Sequence, residues 1–111
     1  MDLTIRKGEL LKELQYVQGV VERKATVPIL TNLLLETTGN ALSITATDLD
    51  VTLRCTSRAD VKVAGAFTVS ARKMFDIVRL LPDADVHLKA STSEWLNVTC
   101  QRSKFKVAGL S

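Results

Sequence analysis

The spacing of apolar residues in this chain switches from two to about 3.6 and back, and does so twice in the same order of elements. Leu3 and Ile5 alternate with Thr4 and Arg6, a short strand. A helix then starts at Lys7 or Gly8, because Leu10, Leu14, Val17 and Val21 recur at steps of four, three and four, with Leu11 beside them. Its other face carries Lys12, Gln15, Tyr16 and Gly19. A loop is expected from about Glu22 to Thr31, with Arg23, Lys24 and the helix-breaking Pro28. Asn32–Thr37 and Ala41–Thr47 flank a Gly39-Asn40 turn, and Leu42, Ile44 and Ala46 alternate with polar residues, so the two runs form a hairpin. Asp50–Ser57 is a third strand, with Val51, Leu53 and Cys55 on one side.

The order then repeats. Ala66–Ser70 is a strand, and Ala71–Leu81 a helix with Met74, Ile77, Val78 and Leu81 as its apolar stripe. Ser70 can cap that helix by accepting from an orphan amide, and Pro82 stands where helices stop. Strands at Ala84–Ala90, Glu94–Cys100 and Ser103–Ala108 follow. Strand, helix, three strands, given twice, predicts an α+β fold of two half-domains about a pseudo-two-fold axis. The helices lie together on one side and antiparallel sheets cover the other. Helices of about three turns need those sheets to bury Leu10, Leu14, Met74 and Val78.

The composition removes most catalytic and membrane classes. No apolar run reaches the roughly 18 residues of a membrane span, and the first residues lack a basic region leading into an apolar stretch, so a cytosolic protein is expected. Cys55 and Cys100 are the only cysteines and form no Cys-x-x-Cys pair; two reduced core thiols are expected. His87 is the only histidine, falls on a polar strand face and reads as a solvated surface residue. Asp48 and Asp50 bracket Leu49 in a turn, where capping of local amides is commoner than metal or acid-base work. With no Gly-rich phosphate loop and no metal-ligand cluster, neither an enzyme nor a cofactor is expected.

The chain has 15 Lys and Arg against 12 Asp and Glu, a net +3, so location matters more than amount. On a helical wheel Arg72, Asp76 and Arg79 fall opposite Met74 and Val78, and Lys12 falls opposite Leu10 and Leu14. Amphipathic helices often carry such a face merely for solvation. The pattern also suits a surface that meets phosphates without reading bases: the basic residues are few, spread over both helices, and accompanied only by Tyr16 as a stacking group.

Four motifs then point to a family. Thr26-Val27-Pro28-Ile29-Leu30-Thr31-Asn32-Leu33-Leu34-Leu35 is similar to the Pro-Ile-Leu-x-Asn-Leu-Leu-Leu segment of bacterial sliding clamps, the beta subunit of DNA polymerase III. Thr47-Asp48-Leu49-Asp50 resembles their Thr-Asp-Leu-Glu/Asp turn. Ser70-Ala71-Arg72-Lys73-Met74-Phe75-Asp76-Ile77-Val78 resembles their Pro-Ala-Arg-Lys region, with Ser70 replacing the usual proline. Arg102-Ser103-Lys104-Phe105 is similar to a motif near the end of the first clamp domain. The four occur in the family's order along nearly the whole chain.

The resemblance implies the DNA-clamp fold, with residues 1–111 as the N-terminal domain and domains two and three absent. In the family two three-domain subunits close a ring around duplex DNA, helices lining the hole, and the ring holds the replicative polymerase without catalysing anything. Lys24, Arg72 and Arg79 match basic positions that face or contact sequence-independent double-stranded DNA, with Lys12 a weaker match. Lys73, Arg102, Lys104 and Phe105 match the interface with the third domain of a second subunit, where the last strand pairs edge to edge. Trp95 stands where relatives are often basic. Polymerase and clamp loader would bind through the missing domains, and the cytoplasm, at the nucleoid, is the expected location. The competing expectation is a small α+β assembly domain with no DNA role, in which Lys104 and Lys106 only guard an edge strand.

Overall fold

A computed structural model describes the backbone of residues 1–24, 32–47 and 52–110, and the side chains of 1–17, 32–46 and 52–110. The first half runs β1 (Asp2–Arg6), α1 (Lys7–Lys24), β2 (Asn32–Thr37), β3 (Ala41–Thr47), β4 (Thr52–Arg58) and β5 (Asp60–Val63). The second runs β6 (Ala66–Ser70), α2 (Ala71–Val78), β7 (Asp85–Lys89), β8 (Trp95–Cys100) and β9 (Ser103–Ala108). One sheet has the order β5-β1-β7-β8-β9 and the other β4-β3-β2-β6, antiparallel at every pair. The expected α+β architecture of two helices on antiparallel sheets is the one found.

The two halves are built alike and exchange their first strands: β1 pairs with β7 and β6 pairs with β2. The likeness extends to single hydrogen bonds. Ala59 donates to the Asn40 carbonyl at 3.0 Å, and Gly109 donates to the Glu94 carbonyl at 2.7 Å, each at the residue just past the half's last hairpin strand. Thr37 donates to Gly65, and Ala90 to Met1, in the same relation. Neither half can bury its helix alone, because each sheet contains a strand of the other half.

The core takes in Leu10, Leu14 and Val17 of the α1 stripe and Met74, Val78 and Leu81 of the α2 stripe, while Ile77 is half-buried and the Val21 side chain lies outside the described residues. Leu3, Leu10, Leu33, Leu35, Met74, Val78, Leu88, Leu96 and Val98 are fully buried in one cluster drawn from both helices and both sheets. α1 packs on α2, β1 and β4, while α2 packs on α1, β6 and β9.

Four sequence expectations change. α1 continues through Glu22, Arg23 and Lys24 instead of yielding to a loop; all three are good helix formers, and the nearest proline is Pro28. α2 ends at Val78, three residues early. Beyond it Leu80 and Leu81 donate to Ile77 and Val78 in a tighter turn, since Pro82 disfavours helical geometry before it. The first half has an additional strand, β5, separated from β4 by Ala59 alone. The chain passes there from one sheet to the other, and an exposed four-residue strand leaves little apolar signal. Finally, only Cys100 is a buried thiol; Cys55 is half-buried. Burial and the neighbouring Glu13 push the Cys55 thiol up to about 11, which keeps it protonated and unreactive at neutral pH. Val51 and the Asp48-Leu49-Asp50 turn lie outside the described residues.

Candidate functional site

The helix pair forms one candidate surface. α2 buries Ala71, Met74 and Val78, which leaves Arg72, Lys73 and Arg79 exposed. Ser70 caps it as expected, its hydroxyl accepting from the Lys73 amide at 3.4 Å. Arg79 is the C-cap residue, one past the helix, so its side chain leaves from the helix end and not from its side. Its Nε lies 3.6 Å from Asp76 Oδ1, both side chains about half exposed, so part of its charge is already shared. On α1, Leu10, Leu14 and Val17 are buried and Lys12 is exposed. Since β1 and α1 match β6 and α2 in register, Lys12 occupies the place of Asp76, and Gln15 that of Arg79. Among the described residues the basic side chains of this face therefore come mainly from α2. Lys24 is the last residue of α1, but its side chain is outside those described.

Each helix also borders a sheet edge through a groove. Lys12, Glu13, Gln15 and Tyr16 of α1 face Cys55 and Thr56 of β4 across about 500 Å³. Glu13 accepts from the Ser57 hydroxyl at 2.7 Å, tying α1 to that edge. On the other side Lys73, Asp76 and Ile77 of α2 face Trp95 of β8 and Lys106, Val107 and Ala108 of β9 across about 420 Å³. A larger open hollow, about 910 Å³, lies where the sheets meet and is lined by Arg6, Glu9, Arg58, Asp60 and Asp85. Charges of both signs line it, and none of the candidate residues does.

β9 ends its sheet and is hydrogen-bonded on one side only. Val107 points inward and is buried, while Lys104, Phe105 and Lys106 are exposed. Phe105 sits opposite Val98 on the inward phase of the strand yet keeps 36% of its surface, as an edge position allows. The interface candidates spread along this edge: Arg102 in the preceding turn, Lys104 and Phe105 mid-strand, Lys73 in the groove beside its far end. Trp95, 43% exposed, adds an aromatic plane with the Lys106 ammonium 5.0 Å from its centre. Sequence reasoning treated Trp95 only as a departure from relatives; register pairing of Trp95 with Ala108 brings it beside Lys106.

His87 does lie on the polar sheet face, but it is paired: its Nε2 is 2.6 Å from Asp2 Oδ1. That hydrogen bond holds the Asp2 carboxyl below its ordinary value against the opposing effect of burial, helped by the charges of His87, Lys89 and Lys62. Among the described residues no group of three metal-ligating side chains occurs, and no described helix is long and apolar enough to cross a membrane.

Comparison with known proteins gives this arrangement a family. Residues 1–111 match the family described as DNA polymerase III beta subunit, N-terminal domain. The beta sliding clamp of Caulobacter vibrioides strain NA1000 is 45% identical over 109 residues, which are 96% of this chain and 29% of that protein. The Vibrio harveyi beta sliding clamp is 42% identical over 112 residues, 99% of this chain and 77% of that sequence. A Caulobacter crescentus clamp crystal structure superposes with a TM-score of 0.87 at 45% identity, over 99% of this chain and 30% of that one. The chain thus spans under a third of the Caulobacter clamps it matches. With the whole sequence matched and the fold shared, this chain belongs to the DNA polymerase III beta subunit family, as its N-terminal domain.

Proposed function

We propose that this domain is the first of three in a processivity clamp, a dimeric ring that encircles duplex DNA, slides along it and tethers the replicative polymerase without catalysing a reaction. The observation that carries this reading is the pairing of α1 and α2 with Lys12, Arg72, Lys73 and Arg79 exposed and both sheets packed behind them. Arg72, Arg79, Lys12 and Lys24 meet phosphates transiently, some through water. No single contact fixes a register, so the ring can slide, and closure supplies retention.

The β9 edge is the subunit interface in this reading. An unused row of backbone donors and acceptors accepts a partner strand. Lys73, Arg102 and Lys104 meet acidic groups of the second subunit's third domain, and Phe105 packs in a small apolar cluster. Polymerase and loader bind elsewhere on the full protein. The protein works in the cytoplasm, at the nucleoid, and needs no cofactor.

The test is topological and ionic together. A full-length ring loaded on circular DNA should stay linked at high salt and fall off when the circle is cut. The isolated domain should bind duplex weakly, with log K falling by about 2.7 per log unit of salt for roughly three phosphates. A tight, sequence-selective complex with the domain alone would defeat the clamp reading, and no salt-dependent binding would favour an assembly domain without a DNA role.

A further inference from the structure

Lys7 opens α1, and a cation in a helix's first turn faces the positive end of that helix's dipole. Its charge is delivered elsewhere. The Lys7 ammonium donates to the Leu81 carbonyl at 2.5 Å and to the Arg79 carbonyl at 3.4 Å. Those acceptors belong to the tight turn that follows α2, beside the negative end of its dipole, where a cation is favoured. α2 has no basic residue in its own last turn.

Other bonds hold the same turn to the same place. The Lys7 amide donates to the Ala84 carbonyl at 3.0 Å. Arg6 lies 3.8 Å from Asp83 and 3.5 Å from Asp85, its partner in the β1–β7 ladder. The start of α1 and the end of α2 are thus one joint, and Arg79 sits inside it. Its amide donates to Phe75 at 3.1 Å while its carbonyl accepts from Lys7. The pseudo-two-fold mate of Lys7 is Ala71, which has no group to do this.

We propose that Lys7 is a positioning residue for Arg79: by holding the turn that follows α2 it fixes the direction in which the Arg79 guanidinium leaves the helix end, and so its meeting with a phosphate. This rests on the duplex-facing reading of the helix pair. Without the ammonium, the turn that follows α2 loosens and Arg79 spends more of its time away from the duplex.

A double-mutant cycle on the chain, with a short fluorescent duplex over a salt series, tests it. Arg79→Ala should weaken binding about threefold and flatten the log K against log salt slope by about 0.9, one phosphate's worth. Lys7→Met should weaken binding about twofold and flatten the slope in part, yet add nothing in the Arg79→Ala background; shared action appears as this non-additivity. Lys7→Arg, which can still donate to the carbonyls, should restore both readouts. Thermal melting of every variant confirms folding, and Lys7→Gln replaces Lys7→Met if the latter does not fold. Wild-type affinity and slope in Lys7→Met, with Arg79→Ala impaired, would overturn the positioning role and leave the phosphate reading standing. An equal loss in both backgrounds would also overturn it, since Lys7 would then act independently of Arg79. No effect of Arg79→Ala would overturn the phosphate reading at that residue, and the inference with it.

Discussion

Replacing Asp76 with Asn should tighten duplex binding while slightly weakening the fold. Asp76 and Arg79 are 3.6 Å apart and about half exposed. A pair of that kind contributes roughly 0.4 kcal/mol. Losing it should lower the melting temperature by about 2 °C in a domain of this size. The same interaction must be given up or shared when Arg79 turns to a phosphate. Removing it therefore returns roughly 0.4 kcal/mol to binding. The carboxylate also repels the duplex directly. At about 7 Å in water the bare repulsion is ~0.6 kcal/mol, and screening at 0.1 M salt halves it. Together the two effects give about 0.7 kcal/mol, or roughly threefold tighter binding, which should fade as salt rises. Fluorescence anisotropy with a labelled duplex, run beside thermal melts, measures both sides. Unchanged or weaker binding by a folded Asp76→Asn chain would refute the claim that this carboxylate competes with phosphate for Arg79.

Other substitutions probe the scaffold. At Gly109 an added Cβ would collide with the Ser93 backbone carbonyl and reach 2.9 Å from Phe67, so Gly109→Ala should cost about 2–3 kcal/mol in a denaturant melt; Ala59, its counterpart, already carries that atom. Gln101 turns the β8–β9 hairpin at φ 52°, a conformation that strains an L side chain, and Gln101→Gly should raise stability by roughly 1 kcal/mol. The folded Asp2 carboxyl is held below its ordinary 3.8, so its contribution is present above that pH and lost as pH falls through the lower folded value. The acid limb of an unfolding profile should therefore be shallower in Asp2→Asn, and an identical limb would count against the His87 bond.

What could be read from the sequence follows from where burial imposes a period. Leu42 and Ile44, and Leu96 and Val98, are buried on one side of two-sided strands, so alternation reveals them, whereas the run Leu33-Leu34-Leu35 hides its buried phase. The Ser70 cap is local chemistry and equally plain. β5 was missed because it is short and exposed, attached to β4 through one residue. The end of α2 was misplaced because Leu81 stays buried beyond the helix, so apolar spacing alone continues the stripe. At the candidate surface, charge type could be assigned from spacing, but the sharing of Arg79 with Asp76, the stacking of Lys106 on Trp95 and the reach of Lys7 are tertiary facts. Lys7 did leave one trace: a cation placed at the wrong end of its own helix.

The exchange of first strands between halves also sets the order in which the domain can be made. Met1 and Ala90 bond to each other in both directions across almost the whole chain. A growing polypeptide carries β1 out early, but its neighbour β7 is synthesised only after α2. Until then β1 is paired on one side only, with β5, and the emerging chain must be kept from pairing with strangers. Synthesis that stalls before Asp85 would leave not a smaller stable domain but an open sheet with an adhesive rim.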